Sequence, residues 1–108
     1  MDNEIKALTD AIKDDYRKWH GNITDPVRKA NIAKMEERFD NGLVVKTGRK
    51  YIKIIIGQSV WGFIVNIDND AKFKRGDILM PAGYSTPARN FARGNIYNGY
   101  EPRWVGAA

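Results

Sequence analysis

The first forty residues carry apolar side chains at helical spacing. Between residues 3 and 20 they recur every three or four positions and form one stripe: Ile5, Leu8, Ile12, Tyr16 and Trp19. Because this spacing places them on one face of a helix, with charged residues opposite, the pattern predicts a helix over 3–20 that ends at Gly21 and Asn22. Trp19 is expected in the core, although a ring at a helix end can also line the mouth of a pocket.

A second helix is predicted over about residues 25–40. The Thr-Asp-Pro sequence at 24–26 is typical of a helix start, and Asn-Gly at 41–42 of a helix end. Its apolar stripe consists of Ile32, Met35 and Phe39. Arg28 lies four residues before Ile32 and therefore continues this stripe. A buried arginine there requires an acidic partner or a bound phosphate, unless its side chain extends to solvent from the helix end.

From residue 43 onwards the pattern changes to alternating and β-branched residues, which is typical of strands. Strands are predicted near residues 43–46, 51–56, 60–67 and 78–80, with one or two edge strands at 94–97 and 103–105. Neither helix can bury its stripe alone, so both must pack on the sheet or on a second copy of the chain. The fold class is therefore α+β in one domain, 1–108: an antiparallel helix hairpin followed by a four- to five-stranded antiparallel sheet over about 43–105.

Composition excludes several classes of chemistry. The 108 residues contain no cysteine, which excludes disulfides and cysteine-based zinc sites, and one histidine, His20, which argues against a histidine-rich metal site. No apolar run is long enough to span a membrane, and the acidic N-terminus is unlike a signal peptide. A reducing cytoplasm fits this composition.

The net charge of +5 is unevenly distributed along the chain. Residues 1–41 have a net charge of −1, whereas residues 42–108 have a net charge of +6. The positive field of the second part favours an anionic partner such as a nucleotide or a nucleic acid. The alternative is a basic surface that serves solubility.

The stretch from Gly76 to Gly99 combines turn residues with cations, amides and aromatic rings. These side chains are Tyr84, Arg89, Asn90, Phe91, Arg93, Asn95 and Tyr97. Arginine pairs with phosphate, asparagine with a base or ribose edge, and an aromatic ring stacks on a base. The stretch therefore favours a ligand-binding loop; a basic surface loop with its rings in the core is the alternative.

Catalysis and metal binding find little support. The titratable candidates, His20, Asp77 and Glu101, are scattered along the chain without a spacing that indicates acid–base chemistry. The acidic run at 68–70 resembles the start of a calcium loop, but the remaining EF-hand positions do not follow. The sequence therefore predicts a protein that is not an enzyme, with no cofactor and no metal site.

A nucleic-acid-binding module is the principal rival. Basic residues lie on the first hairpin and on a later turn: Lys46, Arg49, Lys50, Lys53, Lys72, Lys74 and Arg75. With Tyr51, Trp61 and Phe63 they would form a stacking platform on a basic sheet. These rings alternate with apolar residues, however, so the core is their default position, and nucleic acid is the less favoured partner.

The order of elements resembles the Thoeris anti-defence family of phage proteins, which capture glycocyclic ADP-ribose made by bacterial TIR enzymes. The resemblance rests on the following features: two N-terminal helices, Trp19, Arg28, a sheet beginning near GRKYIKI, Gly76-Asp77, Tyr84, Pro87-Ala88, Arg89 and Arg93-Gly94-Asn95. It implies a sponge that sequesters this cyclic nucleotide without cleaving it, in the cytoplasm of the host cell. It also implies a symmetric dimer built by the helices, or a trimer of such dimers, and in some relatives a separate site for cyclic oligonucleotides.

The resemblance also implies the roles of individual residues. Tyr84 would stack on the adenine, Asn95 would bind the polar edge of the ligand, and Trp19 would flank the ring. The phosphate-binding residues would be Arg28 and Arg103, with Arg93 as a second candidate. A third function remains open, that of a phage structural or assembly protein whose aromatic residues form a subunit interface.

Overall fold

The protein consists of a pair of helices on one face of an antiparallel sheet. The computed structural model describes residues 2–20 and 25–107, apart from the side chain of His20. The elements within them are α1 (Asp2–His20), α2 (Pro26–Gly42), β1 (Leu43–Thr47), β2 (Tyr51–Ile56), β3 (Ser59–Val65), β4 (Asp77–Leu79) and β5 (Gly94–Asn95). Each strand pairs antiparallel with the next one, in the order β1-β2-β3-β4-β5. The predicted α+β fold is confirmed, while the helix end at Gly21–Asn22 and the role of Thr24 lie outside the described residues.

Helix α1 packs on the sheet through the predicted stripe, but only as far as Tyr16. Ile5, Leu8, Ile12 and Tyr16 are buried in a core shared with β2, β3 and β4. The prediction that Trp19 lies in the core is wrong, because 65% of it is exposed. Its ring centroid lies 5.5 Å from that of Trp104, which it meets edge-on. The last turn of α1 therefore meets the C-terminal segment through Trp19 and leaves most of that ring in solvent.

Helix α2 contacts the body of the molecule through its C-terminal end. Asp25 caps the helix by accepting a hydrogen bond from the Val27 backbone N–H at 3.0 Å. Phe39 is buried and stacks on Tyr16 with 4.0 Å between ring centroids. The predicted stripe is wrong at Met35, which is exposed, and Ile32 is half-buried. Arg28 is also exposed and so does not continue a buried face.

The molecule is elongated as a result. Its radius of gyration is 15.0 Å and its dimensions are 52 × 25 × 23 Å, whereas a compact domain of this length has a radius of gyration of about 13 Å.

Among residues 2–20 and 25–107, no helix is long and apolar enough to cross a membrane.

The face of the sheet opposite the helices is covered by a loop. Phe63, Val65, Phe73 and Leu79 are buried there, with Ala92 packed against them. This second core explains why β3 is apolar at successive positions rather than at alternate ones, since both of its faces are covered.

The C-terminal segment closes the core on the helix side. The Trp61 indole N–H donates to the Arg103 carbonyl at 2.7 Å, and the Ala107 N–H donates to the Trp61 carbonyl at 3.0 Å. This approach requires glycine at position 62, where a Cβ would lie 2.8 Å from the Ala107 Cβ. The edge strand predicted at 103–105 is not formed, because the segment turns back on itself in a single bridge between Arg103 and Gly106.

Candidate functional site

The β1–β2 hairpin ends in a turn that is held by the end of β3. The Gly48 N–H donates to the Tyr51 carbonyl at 2.9 Å, and a Cβ at Gly48 would lie 2.7 Å from that oxygen. The Asn66 side-chain amide donates to the Gly48 carbonyl at 3.0 Å, and the Asn66 backbone N–H donates to the Lys50 carbonyl at 2.9 Å. The side chains of this turn therefore project from a fixed backbone.

Four cations and an exposed aromatic ring gather beside this turn, on the sheet face opposite the helices. We call this set the cationic face: Lys46, Arg49, Lys50, Lys53 and Tyr84. The four cations line an open depression of 340 Å³ together with Tyr51, Phe63 and Ser85. None of the four forms an ion pair with a carboxylate within the described parts of the chain.

The pairing of the strands places two of these charges opposite each other. Lys46 of β1 is the direct partner of Lys53 of β2, and Lys53 is in turn the partner of Phe63 of β3. Directly opposed like charges on a sheet destabilise the pairing, and the Cβ atoms of such a pair are only about 4.5–5.5 Å apart. A bound anion would relieve this repulsion, so the arrangement favours a negatively charged ligand.

Tyr84 reaches this surface from the loop that covers the sheet. The loop folds back through hydrogen bonds from Ala82 and Gly83 to the Thr86 carbonyl, at 2.9 and 3.0 Å. Tyr84 lies at its tip, 54% exposed, with the Lys53 ammonium 4.1 Å from its ring centroid. A cation in contact with an exposed ring provides both a phosphate contact and a stacking surface.

Arg89, which the sequence suggested as a phosphate-binding fork, binds a carboxylate of the protein instead. Its guanidinium donates to both oxygens of Asp70, at 2.8 and 3.0 Å, and also to the Tyr51 hydroxyl. The Asp70 side chain is only 2% exposed. The pair links the loop that carries Tyr84 to the segment just before Phe73 of the second core. Arg89 therefore holds that loop in place.

Asp70 is further fixed by the backbone. It accepts hydrogen bonds from the N–H groups of Lys72 and Phe73 at 2.9 and 3.0 Å. The Arg89 guanidinium, followed by these two N–H groups, holds the pKa of the Asp70 carboxyl well below its ordinary value. Asp70 is therefore an ionised structural anchor at neutral pH.

The ligand residues implied by the resemblance are distributed over several surfaces within one chain. Arg93 and Asn95 line one depression of 330 Å³. Arg93 stacks on Phe91, with its guanidinium carbon 4.0 Å from the ring centroid, and its buried Nε has no hydrogen-bond partner in the described part of the chain. The Asn95 amide donates to the Arg75 carbonyl and to Asp77 Oδ1 at 3.1 and 2.9 Å, so both of its N–H groups are engaged within the protein.

The remaining implied residues lie near or on the helices. Arg103 lines a depression of 480 Å³ whose other charged residues are Asp14, Asp15, Lys18 and Glu101. Because three of these are acids, this depression disfavours a phosphate. Trp19 contacts Trp104, next to Arg103 in the chain, and Arg28 lies on the exposed part of α2. Of the six implied residues, only Tyr84 belongs to the cationic face.

The rings of the predicted nucleic-acid platform are mostly unavailable for stacking. Trp61 and Phe63 are buried, as their alternation with apolar residues indicated, and Tyr51 is half-buried. The basic residues of the first hairpin were identified from the sequence, but their association with Tyr84 was not. The sequence contains little evidence for this association, since residues 53 and 84 belong to elements that no local pattern connects.

Within the described residues, no group of three or more histidine, cysteine, aspartate or glutamate side chains is arranged to hold a metal ion. Comparisons with protein-family models, with curated proteins and with solved structures give no match to this chain. The Thoeris resemblance therefore remains a prediction, and the case for function depends on the geometry described above.

Proposed function

We propose that this protein is a non-catalytic binding protein that holds an anionic nucleotide against the cationic face and sequesters it intact. The observation that carries this proposal is the concentration of four cations, without acidic partners among the described residues, around one depression beside the exposed ring of Tyr84. In keeping with the Thoeris resemblance, we propose a ligand of the cyclic ADP-ribose type and a role as a phage anti-defence sponge.

The size of the depression and the number of rings favour a small ligand over a long strand. Sequence-independent binding of a single strand uses several rings on which successive bases stack. Here Tyr84 is the exposed ring at the cationic face, because Phe63 is buried and Tyr51 is half-buried. One stacked base and a diphosphate match one ring with three ammonium groups and one guanidinium group.

The direct test is thermal unfolding of the protein against a ligand panel. The panel contains glycocyclic and canonical cyclic ADP-ribose, linear ADP-ribose, NAD, cyclic di- and trinucleotides and a short single-stranded DNA. A ligand at about one hundred times its dissociation constant stabilises the fold by roughly 2.7 kcal/mol, which raises the unfolding temperature by several degrees. We expect the largest shift with a cyclic ADP-ribose isomer and none with NAD; a panel without any shift contradicts the proposal.

Variants identify the site. Lys50→Ala and Lys53→Ala each remove one charge-assisted contact, so we expect each to weaken binding about tenfold to a hundredfold. Lys29→Ala is the matched control, since it removes the same charge from the exposed surface of α2. Loss of binding in Arg103→Ala with full binding in Lys50→Ala and Lys53→Ala would contradict the cationic face as the site. It would indicate that the phosphate binds the arginines that the resemblance implies.

Two further measurements separate this function from its rivals. Ligand released by denaturing the complex should be chemically intact, and recovery of a cleaved product contradicts sequestration. The open shape of the depression favours single-stranded nucleic acid as the second candidate. For that ligand, four neutralised phosphates predict a slope of about −3 in log affinity against log salt.

A further inference from the structure

The strand β1 forms an unprotected edge of the sheet. Four of its five residues are exposed, and among them Val44 and Val45 are 43% and 37% exposed. Natural sheets protect their edges with proline, bulges, charges or a covering element, because unpaired backbone groups at an edge bind other strands. β1 carries one charge, Lys46, and no proline, and its pairing with β2 is regular, since the bulge next to it adds Trp61 to β3 opposite β2. At the other edge, β5 has two residues, both half-buried.

The apolar core extends to this edge without being closed by the helices. A depression of 540 Å³ lies between the N-terminal half of α1 and β1. Its apolar lining comes from Ile5, Val45 and Ile52, and Thr47 of β1 also borders it. An added strand beside β1 would therefore extend both the hydrogen-bonded sheet and its apolar layer.

We propose that the partner of this edge is β1 of a second copy of the chain, paired antiparallel about a two-fold axis at Val45. In this register Val45 faces the partner's Val45, Leu43 faces the partner's Thr47, and Val44 faces the partner's Lys46. The lysine thus meets an apolar residue, and its stem covers that residue while its ammonium reaches solvent. An axis at Lys46 would instead oppose two lysines, which destabilises a strand pair.

The dimer would contain one continuous sheet of ten strands. Such an interface is isologous, because the same surface serves both copies, and it closes without leaving β1 free for a third chain. Lys46 and Lys53 lie on the same face of the sheet, so the cationic faces of the two copies would be neighbours on one side of the dimer. The inference does not depend on the proposed ligand, since it follows from the edge alone. It places the two-fold contact at β1, and not at the helices, where the Thoeris resemblance implies it.

Analytical ultracentrifugation of the full chain and two matched variants tests the inference. We expect the wild-type chain to be a dimer, Val45→Lys to weaken dimerisation at least about tenfold by opposing two charges, and Val27→Lys to leave it unchanged. Val27 is the control because it is an apolar residue of α2 with 70% exposure. A monomeric wild type, or a dimer that Val27→Lys disrupts and Val45→Lys does not, overturns the proposal.

A cross-linking experiment tests the register proposed for the two β1 strands. Because the chain contains no cysteine, a single Val45→Cys variant reports only on contacts of that position with itself. Under mild oxidation we expect Val45→Cys to form a covalent dimer at a concentration at which Val105→Cys stays monomeric, Val105 being 72% exposed elsewhere. Equal cross-linking of the two variants indicates random collision and overturns the two-fold register.

Discussion

At the scale of single residues, the Asp70–Arg89 pair has a calculable pH dependence. Hydrogen bonds from Arg89 and from two backbone N–H groups lower the pKa of Asp70 in the folded state. The stabilisation is therefore fully present above the pKa of the unfolded chain, near pH 4, and is lost as the pH falls through the lower folded-state pKa. We expect Asp70→Asn to lower the urea midpoint clearly at pH 7 and by less at pH 3.

The control for this measurement is Asp68→Asn, which removes an exposed carboxylate that pairs with Arg75 at 2.9 Å. Surface pairs of that kind contribute little, so its midpoint should stay close to that of the wild type at pH 7. If the difference between wild type and Asp70→Asn were the same at both pH values, ionisation of Asp70 would not be the source of its stabilising effect.

Arg89 also shows where residue-level prediction from the sequence fails. The sequence gives its charge and its loop setting, both of which suit a phosphate contact equally well. Which anion it meets depends on a carboxylate 19 positions earlier, and no local pattern specifies that distance in space. The same limit applies to Asn95, whose amide was a candidate for ligand recognition and is engaged by Arg75 and Asp77.

At the scale of elements, the β1–β2 hairpin combines ligand affinity with a loss of stability. Lys46 and Lys53 are opposed in the register, and neither forms an ion pair with a carboxylate of the described residues. Lys46→Thr should therefore stabilise the free protein by about 0.2–1 kcal/mol and weaken ligand binding. Chemical unfolding at low and high salt measures this, and the gain should shrink as salt increases because exposed charges are screened.

A comparison variant distinguishes charge from strand propensity. Val44→Thr introduces the same residue on the same strand without removing a charge, so its effect on stability should not depend on salt. A salt-independent gain in Lys46→Thr would attribute the effect to the preference of threonine for strands and contradict the repulsion argument.

Element lengths explain which parts of the helices were predicted correctly. The stripe of α1 is buried through Tyr16, but a helix of 19 residues is about 28 Å long, and the longest strand, of seven residues, is about 23 Å. Tyr16 is the last residue of the stripe that belongs to the core, and Trp19, one turn later, meets the edge of Trp104 and stays mostly exposed. Periodicity predicts which residues share one face of a helix, but it does not predict how far along the helix that face is covered by other elements.

At the scale of the whole molecule, the C-terminal segment joins the helix layer to the sheet. The Trp104 backbone N–H donates to Asp15 Oδ2 at 2.9 Å, and the Trp104 ring meets the Tyr16 ring edge-on, with 5.0 Å between centroids. Asp15→Ala leaves this partly buried N–H without its acceptor, so we expect a loss of about 1–3 kcal/mol in the free energy of unfolding. Urea denaturation followed by tryptophan fluorescence and circular dichroism measures the loss with two probes.

Asp14→Ala is the neighbouring control. Asp14 is exposed, and its contact with Arg17 is long, at 3.7 Å, so its removal should change stability by less than about 0.5 kcal/mol. Equal losses in the two variants would contradict a specific role for the Asp15–Trp104 contact. Transitions that differ between the two probes in Asp15→Ala would show that the segment detaches before the sheet unfolds.

The hydrogen bond between Asp15 and Trp104 also has a consequence for folding during synthesis of the chain. Its two partners are separated by 89 positions, and a chain is synthesised at about 5–20 residues per second, so α1 leaves the exit tunnel roughly 4–18 seconds before its last partner. During that interval the end of the stripe at Tyr16 lacks the contact with Trp104 and is open to chaperones, to proteases and to other nascent chains. We therefore expect slower translation of the messenger to prolong this exposure.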